Sequence, residues 1–249
     1  MTFRLADAGV KSILLDIEGT TTSISFVYDV LFPFARLHVK TFLEEHFAGA
    51  QVQADLDLLR QEYRLDLQQT PPPPEIVSGT TSNEIESFAA YVHWLMDRDR
   101  KSTGLKSLQG KIWEQGYKDG VLKAEVFPDV PPALVRWRAA GMKLGIFSSG
   151  SILAQKLLFA HTNFGDLSAF LDHYFDTTTG AKNRADSYRA ISAAVGVKPA
   201  SFLFISDVGA ELEAAREAGM KILLCLRPGN HPQASSTSHQ AIESLDEVL

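Results

Sequence analysis

Apolar residues fall into two textures along this 249-residue chain, and the change from one to the other predicts its architecture. The run over 12–16 (SILLD) is short and continuously apolar, ends in a carboxylate, and passes into Gly19-Thr20-Thr21-Thr22. A strand apolar on both faces belongs in a parallel sheet covered on both sides. Between Ser25 and Glu125 the apolar positions recur every three or four residues, as on one face of a helix. That spacing predicts helices over 34–47, 52–68, 84–100 and 105–118, with Pro71 to Pro74 lying between the second and third. Four consecutive prolines cannot occupy a helix interior, so this stretch reads as a loop.

From Val126 onward the two textures alternate. Helices are predicted over 130–140, 151–159, 186–195 and 211–218, with Gly141 and Gly219 as stops for the first and last. Strands are predicted over 143–147, 173–176, 202–205 and 221–226, the last being the final strand visible in the pattern. This order argues for an α/β fold, a doubly wound parallel sheet with a Rossmann-type core. The core is expected to comprise residues 1–22 and 126–249, interrupted by an all-helical insertion over 23–125. No internal repeat is apparent.

Composition narrows the function classes. Hydrophobic residues make up 45% of the chain, enough for a sizeable core. Charged residues are mixed in sign and the formal net charge is −6, so neither nucleic acid nor an anionic membrane is an expected partner. No apolar stretch approaches the roughly 20 residues needed to span a bilayer, and no secretory signal opens the chain. The single cysteine, Cys225, sits in the apolar run ILLCL and reads as a buried strand residue in a reducing compartment. The expectation is a cytoplasmic monomer.

Polar residues placed just after the expected strands carry the chemistry. In an open α/β sheet the carboxyl ends of the strands converge on one crevice. Asp16 and Glu18 follow the first strand, Ser148 and Ser149 the second, and Asp207 follows FIS; Lys182 stands in a loop before a helix. Two carboxylates with a lysine and hydroxyls suit Mg²⁺ and a phosphate group, because magnesium takes oxygen ligands and lysine and hydroxyl donors hold phosphate oxygens.

In that order, LLDIEGTTT, IFSSGS, the isolated Lys182 and LFISDVGAE resemble the four motifs of the haloacid dehalogenase superfamily. The resemblance implies a haloacid dehalogenase-like fold in which Asp16 attacks phosphorus, Ser148 with Ser149 beside it binds phosphate, and Lys182 serves both catalysis and phosphate binding. It also implies Mg²⁺ on Asp16, Glu18 and Asp207. Glu211, four residues after Asp207, is a further acid at the site's edge or an outer ligand.

A narrower resemblance rests on DIEGTTTSISFVYDVLFPF, DRKSTGLKSLQGKIWEQGY, SSGSILAQKLLFAHTNFGDL, FDTTTGAK and RPGN. Together these are similar to the enolase-phosphatases of methionine salvage, from about Ile13 to Asn230. That family implies the substrate 2,3-diketo-5-methylthiopentyl-1-phosphate, enolised first and then dephosphorylated to the acireductone. The helical cap would exclude water and contact the methylthio end. Most phosphatases of the superfamily carry aspartate two residues after the nucleophile, whereas this chain has Glu18, as the enolase-phosphatases do. Glu18 is open to three roles: metal ligand through its carbonyl, proton shuttle through its carboxyl, or both. It is also the first candidate for the enolisation base.

Blander readings apply to the remaining residues. Ser151 is expected to cap the following helix. The seven histidines show no metal-ligand spacing, and Trp94, Trp113 and Trp137 read as core. Arg98, Lys101 and Lys106 are either solvated helix charges or groups that reach the crevice. Three rival functions stand beside the main one: a superfamily phosphatase of another small metabolite, a metal-free dehalogenase, and a non-enzymatic binding module.

Overall fold

The structure is a computed structural model of the chain and describes residues 2–232 and 239–249. It divides into two compact units, Met1–Val27 with Lys123–Leu249, and Tyr28–Leu122.

The first unit is built on a six-stranded, wholly parallel sheet. Its strands are β1 (Ser12–Leu15), β2 (Lys143–Phe147), β3 (His173–Phe175), β4 (Phe202–Ser206), β5 (Lys221–Cys225) and β6 (Ala241–Ile242), in spatial order β3-β2-β1-β4-β5-β6. β1 lies in the middle, with Leu15 in register with Ile146 on one side and Ile205 on the other. The strand order therefore reverses beside β1, and the crevice at such a switch point lies outside the strands' carboxyl ends. Both alternating sets of strand residues are buried. Leu14, Phe147, Phe202, Phe204 and Leu224 pack with Tyr188, Ile191 and Leu212 of the last two helices. Ile13, Leu15, Ile146, Leu203 and Ile205, which point the other way, are fully buried as well. β6 is a correction to the sequence reading, which ended at the fifth strand. Two residues carry no period to detect, and β6 is held by Leu224 N donating to Gln240 O and Leu226 N to Ile242 O.

The second unit is helical, with α1 (Phe32–His46), α2 (Ala50–Asp66), α3 (Thr81–Met96) and α4 (Thr103–Lys118). Thr80 and Ser102 cap α3 and α4 by accepting from Asn83 N and Leu105 N. Glycines let the helices approach closely: a Cβ on Gly104 would stand 2.8 Å from Leu59 Cγ, and one on Gly116 2.6 Å from a Phe34 ring carbon. Buried polar groups are paired, Asp66 with Tyr91 and Arg100, and Asp55 with Lys111. Arg98 lies over the Trp94 ring and Lys101 pairs with Asp99, so both have partners on their own unit. The chain before α1 winds as a π-helix over Phe26–Leu31, which no apolar period announces. The α-helices among the described residues of the first unit are α5 (Val130–Ala139), α6 (Ile152–Ala160), α7 (Ala185–Val195) and α8 (Gly209–Glu217). Among the described residues no helix is long and apolar enough to cross a membrane.

Candidate active site at the carboxyl ends of the central strands

Asp16 is the first residue beyond β1 and is only 4% exposed. Its backbone N–H still donates to Ile205 O of β4, so the sheet ladder fixes where the side chain starts. The carboxylate is then held on both oxygens. Oδ1 accepts from Ile17 N at 2.8 Å and from Lys182 Nζ at 2.6 Å, and Oδ2 accepts from Ser206 Oγ at 2.9 Å. Charge-assisted bonds of this kind restrict the rotamer as well as stabilise the charge.

Lys182 reaches this point from the loop before α7. Tyr188, one turn into that helix and fully buried, donates its hydroxyl to Lys182 O at 2.7 Å and so anchors the lysine through its backbone. The ammonium bridges Asp16 and Glu211, standing 2.7 Å from Glu211 Oε2, and lies 5.8 Å from the ring centre of Phe147. Burial alone would push the ammonium down, but the Asp16 and Glu211 carboxylates outweigh it and hold Lys182 above the ordinary lysine range.

Ser206, which sequence reasoning missed, touches three groups. Besides donating to Asp16 it lies 3.2 Å from Glu211 Oε2 and accepts from Val208 N. A hydroxyl in the last position of a buried strand, directly before Asp207, was the available signal.

Acids outnumber the lysine here. Burial, reinforced by the Asp16 charge, pushes Asp207 up to about 7, and the same two causes push Glu211 up to about 8. Asp16, Asp207 and Glu211, when ionised around the single ammonium of Lys182, sum to a formal charge of −2, which a divalent cation would match. Among the described residues no group of three or more His, Cys, Asp or Glu side chains is arranged to hold a metal. The site instead offers two side-chain carboxylates, Asp16 and Asp207, with loop carbonyls nearby. That donor set fits a hard cation that takes few protein ligands and keeps water, which is the habit of Mg²⁺.

The loop after β1 is shaped by backbone bonds. Thr20, Thr21 and Thr22 N all donate to Ile17 O, and Gly19, at φ +69°, donates to Thr22 O. A side chain at Gly19 would be strained in that conformation and would strike the Asp207 carboxyl. Glu18 is therefore held between Asp16 and a turn packed on Asp207, half-buried.

Ser148 follows β2 and is 3% exposed; its N–H donates to Phe175 O and its Oγ accepts from Gly150 N. Ser149 beside it is exposed. The structure thus joins Asp16, Lys182, Glu211 and Ser206 by direct bonds and sets Asp207 against Gly19. The Ser148 hydroxyl is engaged within its own loop. Gln155 steadies that loop, donating to Gly150 O at 2.9 Å and Phe175 O at 2.8 Å, and Ser151 caps α6 as its sequence position implied.

Without a divalent cation the raised acids predict an unusual pH dependence. A carboxyl whose pKa is higher folded than unfolded keeps its proton in the native state after the unfolded chain has lost it. The native state then binds more protons, and stability falls as pH rises, between about 4 and 7 for Asp207 and up to about 8 for Glu211. A three-unit shift on one acid sets a ceiling of about 4 kcal/mol on its contribution. Urea unfolding in EDTA from pH 5 to 8 should show that loss, and a divalent cation should flatten it. A flat profile in EDTA would contradict the charge assignment.

The profile of the haloacid dehalogenase-like hydrolases matches residues 10–219. Enolase-phosphatase E1 of Synechococcus elongatus is 54% identical over 221 residues, covering 89% of this chain and 90% of the relative. The enzyme of the same name from Pseudomonas aeruginosa is 43% identical over 240 residues, covering 96% and 98%. Among solved structures, the Saccharomyces cerevisiae UTR4 protein superimposes with a TM-score of 0.77 at 32% identity, over 94% of this chain and 98% of that one.

Proposed function

We propose, because the chain belongs to the haloacid dehalogenase-like hydrolases and within them to the enolase-phosphatases, that the acid–lysine cluster beyond β1 is where a phosphorylated diketone is enolised and dephosphorylated. The enzyme is a phosphatase of the hydrolase class that acts in methionine salvage. The substrate we assign is 2,3-diketo-5-methylthiopentyl-1-phosphate, and the products are the acireductone and phosphate.

One observation carries the assignment of roles: the buried Asp16 carboxylate is gripped by Lys182, Ser206 and its own neighbouring N–H. A carboxylate so oriented suits in-line attack on phosphorus better than it suits a structural ion pair. In our reading Asp16 forms a bond to phosphorus while the bond to the leaving oxygen breaks, giving an aspartyl-phosphate. Lys182 neutralises the phosphate oxygens as they arrive, and Ser148 and Ser149 hold the remaining ones. Glu18 delivers a proton to the leaving oxygen and then takes one from the water that hydrolyses the aspartyl-phosphate. In the preceding enolisation Glu18 is our choice of base, removing a proton from carbon beside a ketone. Asp16, Asp207 and the Glu18 carbonyl would hold Mg²⁺, which supplies electrophilic stabilisation of phosphate and enolate oxygens when bound.

A substrate panel tests the reading. The diketone phosphate should be turned over at least about 10²-fold more efficiently, by kcat/KM, than sugar phosphates, nucleotides or p-nitrophenyl phosphate. Equal or better turnover of a sugar phosphate would leave a phosphatase and remove the assigned substrate.

A further inference from the structure

The loop after β5 touches the nucleophile loop at two places. Arg227, buried and lying over the Phe127 ring, donates from Nε and Nη2 to Thr20 O at 3.2 and 3.1 Å, and from Nη1 to Asp129 at 2.8 Å. Asn230 stands nearer the acids. Its Nδ2 donates to Gly19 O at 2.9 Å and to Cys225 O at 3.2 Å. Two carbonyl acceptors on one side fix which end of the amide is nitrogen. Asn230 Oδ1 must then face the other way, and it is buried without a hydrogen-bond partner among the described residues.

That oxygen faces a particular place. A methyl built on Gly19 would stand 2.6 Å from Asp207 Cγ and 2.9 Å from Asn230 Oδ1, so the amide oxygen and the Asp207 carboxyl flank the same small volume. An amide oxygen buried without a partner needs a donor close by. A divalent cation on Asp16 and Asp207 brings one, because magnesium keeps part of its hydration shell and the protons of that water point outward.

We propose that Asn230 is a positioning residue for the cation end of the site: Nδ2 pins the Gly19 turn against Asp207, and Oδ1 accepts a hydrogen bond from the cation's hydration shell. The inference rests on the reading of Asp16 and Asp207 as cation ligands. Arg227 holds the same loop one residue further on, at Thr20 O, and serves as its internal control.

The test is Mn²⁺ binding to the full chain without substrate, followed by the electron paramagnetic resonance signal of free Mn²⁺. Outer partners of a metal site typically change affinity 10- to 100-fold. Asn230→Ala should weaken Mn²⁺ at least about 10-fold while circular dichroism shows the fold retained, and Arg227→Lys should weaken it less than about threefold. An N230A affinity within about twofold of wild type overturns the proposal. So does an equal loss in N230A and R227K, which would mean general loosening of the loop. If N230A does not fold, Asn230→Ser is read by the same limits. Wild type that binds no Mn²⁺, or Asp207→Asn that binds it as tightly as wild type, removes the cation reading and this inference with it.

Discussion

Asp16→Asn should lower phosphate release by at least about 10³-fold while leaving the chain folded. Asparagine has the shape of aspartate, and its side-chain oxygen can still accept a hydrogen bond in the cluster. What it lacks is the charge and the nucleophilic oxygen. The loss belongs in kcat, because Lys182 and the serine loop still meet the phosphate. Removing the Asp16 charge also relieves Asp207 and Glu211, both of which it pushes upward. The variant's stability in EDTA should therefore fall less between pH 5 and 8 than that of wild type. Rapid quench with substrate labelled in the phosphate should show a protein-bound phosphoryl group in wild type and none in the variant. Undiminished release by D16N would remove Asp16 from its role.

Lys182→Met comes next in size. The ammonium is the nearest counter-charge to Asp16 and Glu211, at 2.6 and 2.7 Å, with a side chain only 11% exposed. Taking one partner from a buried ion pair leaves the other uncompensated and typically costs about 3–5 kcal/mol. Here the cost depends on pH. At pH 5 the orphaned acids take up protons and most of the loss is avoided; at pH 8 they are forced towards charge and the loss is greatest. Urea unfolding of K182M against wild type at the two pH values measures that difference. A divalent cation should recover much of the stability at pH 8, but not the rate, which should remain down by about 10²–10³-fold because the positive charge that meets the phosphate is gone. Equal destabilisation at pH 5 and pH 8 would show that the lysine is held by packing and not by its two carboxylates.

What the sequence discloses and what it conceals follow a physical pattern. Asp16 and Asp207 are legible because each stands just beyond a buried, mostly apolar strand, where a carboxylate has no reason to be unless a crevice receives it. Parallel pairing and the α/β class follow from the alternation of strand and helix. Strand order does not, because the run SILLD reads the same at the centre of a sheet as anywhere else buried on both faces. Helix ends shift for a related reason. α3 opens on Thr81-Ser82-Asn83 and α4 on Thr103-Gly104, so apolar periodicity begins late, and the true starts are marked by the caps Thr80 and Ser102.

The residues that support the site are the hardest to read. Tyr188 acts on Lys182, and Asn230 on Gly19, through backbone carbonyls that any residue would supply. Such contacts leave no pattern in the partner's identity. Ser206 bonds to Asp16 from 190 positions away, and only the pairing of β1 with β4 brings them together.

Phosphate release and ultraviolet absorbance, followed together in one time course on the diketone phosphate with Mg²⁺ and again with EDTA, test the central claim most directly. The account requires an enol absorbance that rises before or with phosphate, and loss of phosphate release in EDTA. Phosphate released in EDTA at the magnesium rate, or released with no enol absorbance at any time, would contradict it.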